Sequence, residues 1–148
     1  MNKKLFKMPI LFALILCICF VFVGCNKRKA PEGVSQDLYD GTLAFLDKIK
    51  EYYKIGNYKK VQQAYEDYKI EYSPEDNPGK DYSKEEKRIT DNLDGLITYC
   101  ELYLKNSNTH ASFFNNQIRE YTDKLSKALN LKLIIETKDN KIIIEEIE

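Results

Sequence analysis

Tryptophan is absent from the 148 residues, and one histidine, His110, serves the whole chain. With no second histidine near it in sequence, His110 does not read as a metal ligand or an acid–base catalyst, since both need convergent partners. No glycine-rich phosphate cradle, no HExxH and no Gly-x-Ser-x-Gly occurs, so nucleotide, zinc-protease and serine-hydrolase chemistries have no motif to stand on. Acidic and basic residues balance at 23 each. A basic face of the kind that nucleic acid requires is therefore missing, and no nucleic-acid partner is expected. No cofactor and no metal is expected either, and the chain reads as a non-enzyme. Asp76 and Asp81 flank the breakers Pro74, Asn77, Pro78 and Gly79, but not at the spacing of a calcium loop.

Long apolar runs are also scarce. The longest lies between Ile10 and Val23, shorter than the roughly 18 residues a membrane-spanning helix needs. Lys3, Lys4 and Lys7 precede it, and Gly24, Cys25, Asn26, Lys27, Arg28 and Lys29 follow. A basic start, an apolar core and a small residue before a cut are the pattern of an export signal.

The stretch Phe22-Val23-Gly24-Cys25 resembles the lipobox of bacterial lipoproteins, with Phe22 where that family usually has Leu. The resemblance covers residues 1–25. It implies recognition of Phe22, Val23 and Gly24 by a signal peptidase, removal of residues 1–24, and a diacylglycerol carried as a thioether on Cys25. A thiolate is the side-chain nucleophile suited to take that group. Two chains hold a protein firmly at a bilayer where one is marginal. The implied address is the cell membrane, lipid-anchored, on its extracytoplasmic face. Lys27, Arg28 and Lys29 would then lie at the surface, either against acidic headgroups or as solvated linker.

Cysteine use follows from that reading. Cys17 and Cys19 leave with the signal, Cys25 takes the lipid, and Cys100 remains alone, so the mature fold has no internal disulfide. The signal carries Lys3, Lys4 and Lys7 and no acid, so the mature part has net charge −3 against 0 for the whole chain, and about −6 without Lys27, Arg28 and Lys29. Residues 25–34, with Pro31 and Gly33, are expected to be a tether, residues 35–130 a helical domain, and residues 131–148 a separate C-terminal element.

The helical part shows four periodic stretches. Ser35 is a good N-cap for a first helix from Gln36 to Lys54, which Gly56 and Asn57 stop. Leu38, Thr42, Phe45, Ile49 and Tyr52 share a face by their three-and-four spacing. A second helix from Tyr58 to Tyr72 places Tyr58, Val61, Tyr65, Tyr68 and Tyr72 on one stripe. That stripe is the packed seam of a helix pair or, as the alternative, an aromatic partner-binding surface formed by Tyr58, Tyr65, Tyr68 and Tyr72. The stretch from Tyr52 to Tyr65 resembles the middle of a tetratricopeptide repeat, with Gly56, Tyr58 and Tyr65 matching and Pro74 near the closing proline. One copy is visible, from Thr42 to Pro74, so a helical hairpin of similar geometry is implied and not an array; the implied function is protein or peptide binding.

Ser83-Lys84-Glu85-Glu86 is a capping box opening a third helix to about Lys105, and Cys100 sits within its apolar stripe. Asn106, Ser107 and Asn108 are expected to form a turn. A fourth helix then runs from Thr109 or His110 to about Leu129. Beyond it, Leu131–Thr137 and Ile142–Ile147 are rich in β-branched residues around Asp139-Asn140, the pattern of a β-hairpin; a continuation of the fourth helix is the rival. The expected fold is mainly α: a small antiparallel bundle of about four helices with a short C-terminal hairpin. The expected function is a membrane-anchored, non-catalytic module that binds a protein partner in the envelope. A protective or exclusion lipoprotein from a mobile element and a solute-binding lipoprotein are the alternatives.

Overall fold

The computed structural model describes residues 28–147, so Phe22, Val23, Gly24 and Cys25 lie outside the described residues. Among the described residues, three helices, α1 (Gln36–Lys54), α2 (Tyr58–Tyr72) and α3 (Lys84–Leu129), precede two strands, β1 (Lys132–Lys138) and β2 (Lys141–Ile147). The fold is a mainly α bundle closed by a two-stranded antiparallel hairpin. None of its helices is long and apolar enough to cross a membrane, among the described residues.

Each helix begins where its capping residue stands. Ser35 Oγ accepts the Leu38 amide, Asn57 Oδ1 accepts the Lys60 amide, and Ser83 with Glu86 makes a reciprocal capping box. Such caps satisfy amides that a helix start leaves without partners. The Glu86 carboxylate does more: it accepts from the Ser83 amide at 2.9 Å and from the Ser35 amide at 3.0 Å, so it joins the starts of α1 and α3. Ser83 Oγ also donates to the Gly33 carbonyl at 2.5 Å. Residues 28–34 are thereby folded against the bundle, with Ala30 and Val34 packed on the core.

α1 and α2 form an antiparallel pair. Phe45 meets Tyr68 at a ring separation of 5.0 Å and Tyr65 at 5.9 Å, and Tyr53 meets Tyr58 at 6.1 Å. At the far end Tyr72 lies over Gly41, where an added Cβ would come within 2.4 Å of the ring. Absence of a side chain at Gly41 is what lets the aromatic seam close.

α3 consists of two helical limbs joined across a kink, where Asn106 (φ −133°, ψ 21°) and His110 (φ −140°, ψ 30°) leave helical geometry. The turn expected at Asn106, Ser107 and Asn108 is present as a sharp kink between two helical limbs. Asn106 Nδ2 donates to the Leu102 carbonyl at 3.2 Å and Thr109 Oγ1 to the Asn106 carbonyl at 3.2 Å, so side chains hold acceptors at the break. The two limbs fold back on each other. Tyr121 stacks on Tyr99 at 5.6 Å and lies so close to Gly95 that a Cβ there would be 2.3 Å from the ring. A straight helix would separate Gly95 and Tyr121 by about 39 Å at 1.5 Å per residue. The four expected helical stretches are thus all present, two of them as limbs of α3.

Asn130 ends α3 in the left-handed conformation (φ 51°), and the Leu131 amide reaches back to the Ser126 carbonyl at 3.1 Å. This is a C-terminal cap for which Asn substitutes for Gly. The hairpin follows, with Asp139 (φ 50°) and Asn140 (φ 59°) as a two-residue turn of type I′, the turn whose twist matches paired strands. Ile135 stands opposite Ile144 and Thr137 opposite Ile142. Leu133, Ile142 and Ile144 enter the core, and β1 packs on α3 while β2 packs on α1. The hairpin therefore bridges the first helix and the last limb.

Candidate binding surface at the open edge of the hairpin

The tyrosine stripe of α2 divides. Tyr65, Tyr68 and Tyr72 are buried with the core, while Tyr58 is 36% exposed. The buried three form the seam of the helix pair, and the hydroxyls of Tyr65 and Tyr68 are engaged inside the fold. Tyr65 Oη donates to Asp94 of α3, and Tyr68 Oη shares a 2.9 Å hydrogen bond with Thr42 Oγ1, which also donates to the Leu38 carbonyl at 2.7 Å. Burial, joined at Tyr65 by Asp94, pushes the Tyr65 and Tyr68 phenols well above their ordinary range; burial also takes Tyr72 up to about 12. These groups are neutral at any physiological pH and serve packing.

Cys100 is fully enclosed, and burial pushes its thiol up to about 12. The Tyr53 hydroxyl faces it. Tyr53 is raised well above its ordinary range by burial first and by Cys100 next. Its oxygen has no hydrogen-bond partner among the described residues, nor has that of Tyr82. His110 sits at the bend of α3, edge-on to Phe114 at 6.3 Å. Among the described residues no group of three His, Cys, Asp or Glu side chains is placed to hold a metal ion.

The hairpin offers a different kind of surface. A two-residue turn makes Lys138 and Lys141 the closing hydrogen-bonded pair, and bonded and non-bonded pairs then alternate along the ladder. With the observed register, Leu133, Ile135 and Thr137 of β1, and Ile142 and Ile144 of β2, direct their backbone N–H and C=O groups away from the partner strand.

The two edges are treated differently. On β1, Ser126 of α3 occupies the edge at Leu133: the Leu133 amide donates to Ser126 Oγ at 3.1 Å, and Ser126 Oγ donates to the Leu133 carbonyl at 3.3 Å. Thr137 Oγ1 further ties β1 to Asn115 at 2.6 Å. On β2, among the described residues, no third strand pairs with the edge. A groove of about 540 Å³ separates that edge from the C-terminal end of α1, with Lys50, Glu51, Tyr53 and Lys54 on one wall and Lys141–Glu145 on the other. Ile143 stands on the outer face of the strand, 42% exposed.

A row of backbone donors and acceptors beside an apolar strand is a template for another extended chain. Richness in β-branched residues around Asp139-Asn140 made the hairpin legible in sequence. Which edge is covered depends on Ser126, whose role had no signal beyond a small polar residue late in a helix. No protein-family model matches the chain, and no curated protein and no solved structure matches it.

Proposed function

We propose that the chain is an extracytoplasmic lipoprotein, held at the membrane by a diacylglycerol on Cys25, whose folded part is a non-catalytic protein-binding module. The lipobox-like stretch Phe22-Val23-Gly24-Cys25 supports the address. One observation carries the binding reading: among the described residues no third strand pairs with the outer edge of β2, while on β1 Ser126 occupies the outward groups of Leu133. Strand addition at such an edge gains main-chain hydrogen bonds, and flanking side chains select the partner. The recognition surface is accordingly the β2 edge, with Tyr65, Tyr68 and Tyr72 as its structural support and not its contact residues.

The test uses full-length protein in living cells. A palmitate analogue should label the wild type, and Cys25→Ser should lose both the label and membrane retention. A photo-crosslinking amino acid at Ile143 should capture protein, while the same group at Ile70, 68% exposed on α2, should not. Equal capture from both positions, or none from Ile143, would sink the edge as the binding surface.

A further inference from the structure

The charge pattern of β2 is self-complementary. Lys141-Ile142-Ile143-Ile144-Glu145 reads as a base, three isoleucines and an acid, so the strand laid antiparallel against a copy of itself brings opposite charges together. We propose that the occupant of the β2 edge is β2 of a second copy of this chain, giving a four-stranded sheet about a two-fold axis at Ile143. The proposal rests on the reading of that edge as the binding surface and names its partner.

Backbone geometry restricts how the copies can meet. Ile142 and Ile144 carry the outward N–H and C=O groups, so an antiparallel neighbour must place its own outward residues opposite them. Registers that set Ile142 against Glu145 fail this requirement. Among the registers that meet it, centring on Ile142 puts Lys141 against Ile143 and Glu145 against Asp139, two like charges. Centring on Ile144 puts Glu145 against Ile143. Centring on Ile143 sets Lys141 opposite Glu145 twice, Ile142 opposite Ile144 twice, and Ile143 opposite itself. In that arrangement the charged pairs and the Ile143 pair occupy non-hydrogen-bonded sites on the outer face, where side chains lie closest. Exposed Ile143 is then covered by its own copy. An isologous contact of this kind satisfies each patch with the same patch on the partner.

The experiment follows from the axis. In the full-length protein in membranes, Ile143→Cys places two thiols on a non-hydrogen-bonded pair, whose Cα separation of about 4.5 Å lies within disulfide reach. Ile143→Cys should run largely as a covalent dimer on a non-reducing gel after mild oxidation, and Ile134→Cys on the other strand should not. Adding Lys141→Glu or Glu145→Lys should cut the dimer at least about fivefold, since each sets like charges opposite. Combining the two should restore it to within about twofold, because the exchanged pair is again complementary. A dimer that ignores the single reversals, or that the double exchange fails to rescue, overturns the proposal. Capture of a different envelope protein by the photo-crosslinker at Ile143, with no dimer, keeps the edge as a binding surface and overturns self-pairing. No crosslink of either kind overturns both.

Discussion

The carboxylate of Glu86 accepts the backbone amide of Ser35, which lies 51 positions earlier in the chain, while it also caps its own helix through Ser83. Burial works against the charged form, but hydrogen bonds from Ser35 and Ser83 outweigh it, and the carboxyl is held below its ordinary range. A depressed carboxyl pKa stabilises the fold above the unfolded-state value, and that contribution is lost as pH falls through the folded-state value. Glu86→Ala should cost about 2 kcal/mol at neutral pH, since hydrogen bonds to a charged group contribute about 1.5–3 kcal/mol. Glu86→Gln should cost less and give a shallower acid limb in denaturant melts taken from neutral pH down through the carboxyl range. An acid limb identical to wild type would show that the carboxylate does not join the two helix starts.

Gly95 and Tyr121 set how closely the limbs of α3 approach. Gly95→Ala gains helix propensity of about 1 kcal/mol. It also drives a methyl into a ring 2.3 Å away, an overpacking that costs about 1–3 kcal/mol. The expected net result is destabilisation, with the midpoint in urea falling. Gly95→Ala combined with Tyr121→Leu should recover part of the loss, because the smaller side chain leaves room. Simple additivity of the two losses would mean that the limbs do not meet there.

Tyr53 offers the opposite sign. Its hydroxyl is buried without a hydrogen-bond partner among the described residues, and an unpaired buried hydroxyl costs about 1–3 kcal/mol. Tyr53→Phe keeps the ring against Tyr58 and removes the oxygen. Stability should be unchanged or rise by about 1 kcal/mol, read as a higher denaturation midpoint. Thr42→Val should do the reverse, because it leaves the buried Tyr68 hydroxyl without the partner it has at 2.9 Å.

A chain ending at Asn130 loses Leu133, Ile142 and Ile144 from the core. Burying an aliphatic side chain of this size contributes about 1.5–3 kcal/mol. Such a truncation should unfold or melt far below the full chain in circular dichroism. Single charge changes at Lys141 or Glu145, both exposed, should leave the melt within about 0.5 kcal/mol. The edge is therefore best probed by substitution and not by deletion.

Much of this architecture was written locally. Ser35, Gly56 and Asn57 bound α1, and Ser83 with Glu86 opens α3, because caps act on the nearest amides and can be read without knowing the fold. Asp139-Asn140 marked the hairpin for the same reason. The break near Asn106 was visible, but not its form: how tightly the chain turns depends on side chains such as Asn106 reaching the Leu102 carbonyl. Gly41 and Gly95 were mute in sequence, since their purpose is the space they leave for Tyr72 on α2 and for Tyr121 on the other limb of α3. The candidate surface was least legible. A tyrosine stripe at helical spacing looks alike whether it faces a core or a partner. The covering of one sheet edge by Ser126 is a contact between elements that no spacing rule encodes.

Ser126 also decides how far assembly can go. A sheet open at both sides adds strands without limit, which is the route to filaments. Here Ser126 takes up the outward groups of Leu133 and obstructs strand addition on the β1 side, and in the proposed pairing the β2 edges of two copies consume each other. An assembly of that kind would stop at two chains, closed by geometry and not by scarcity of protein.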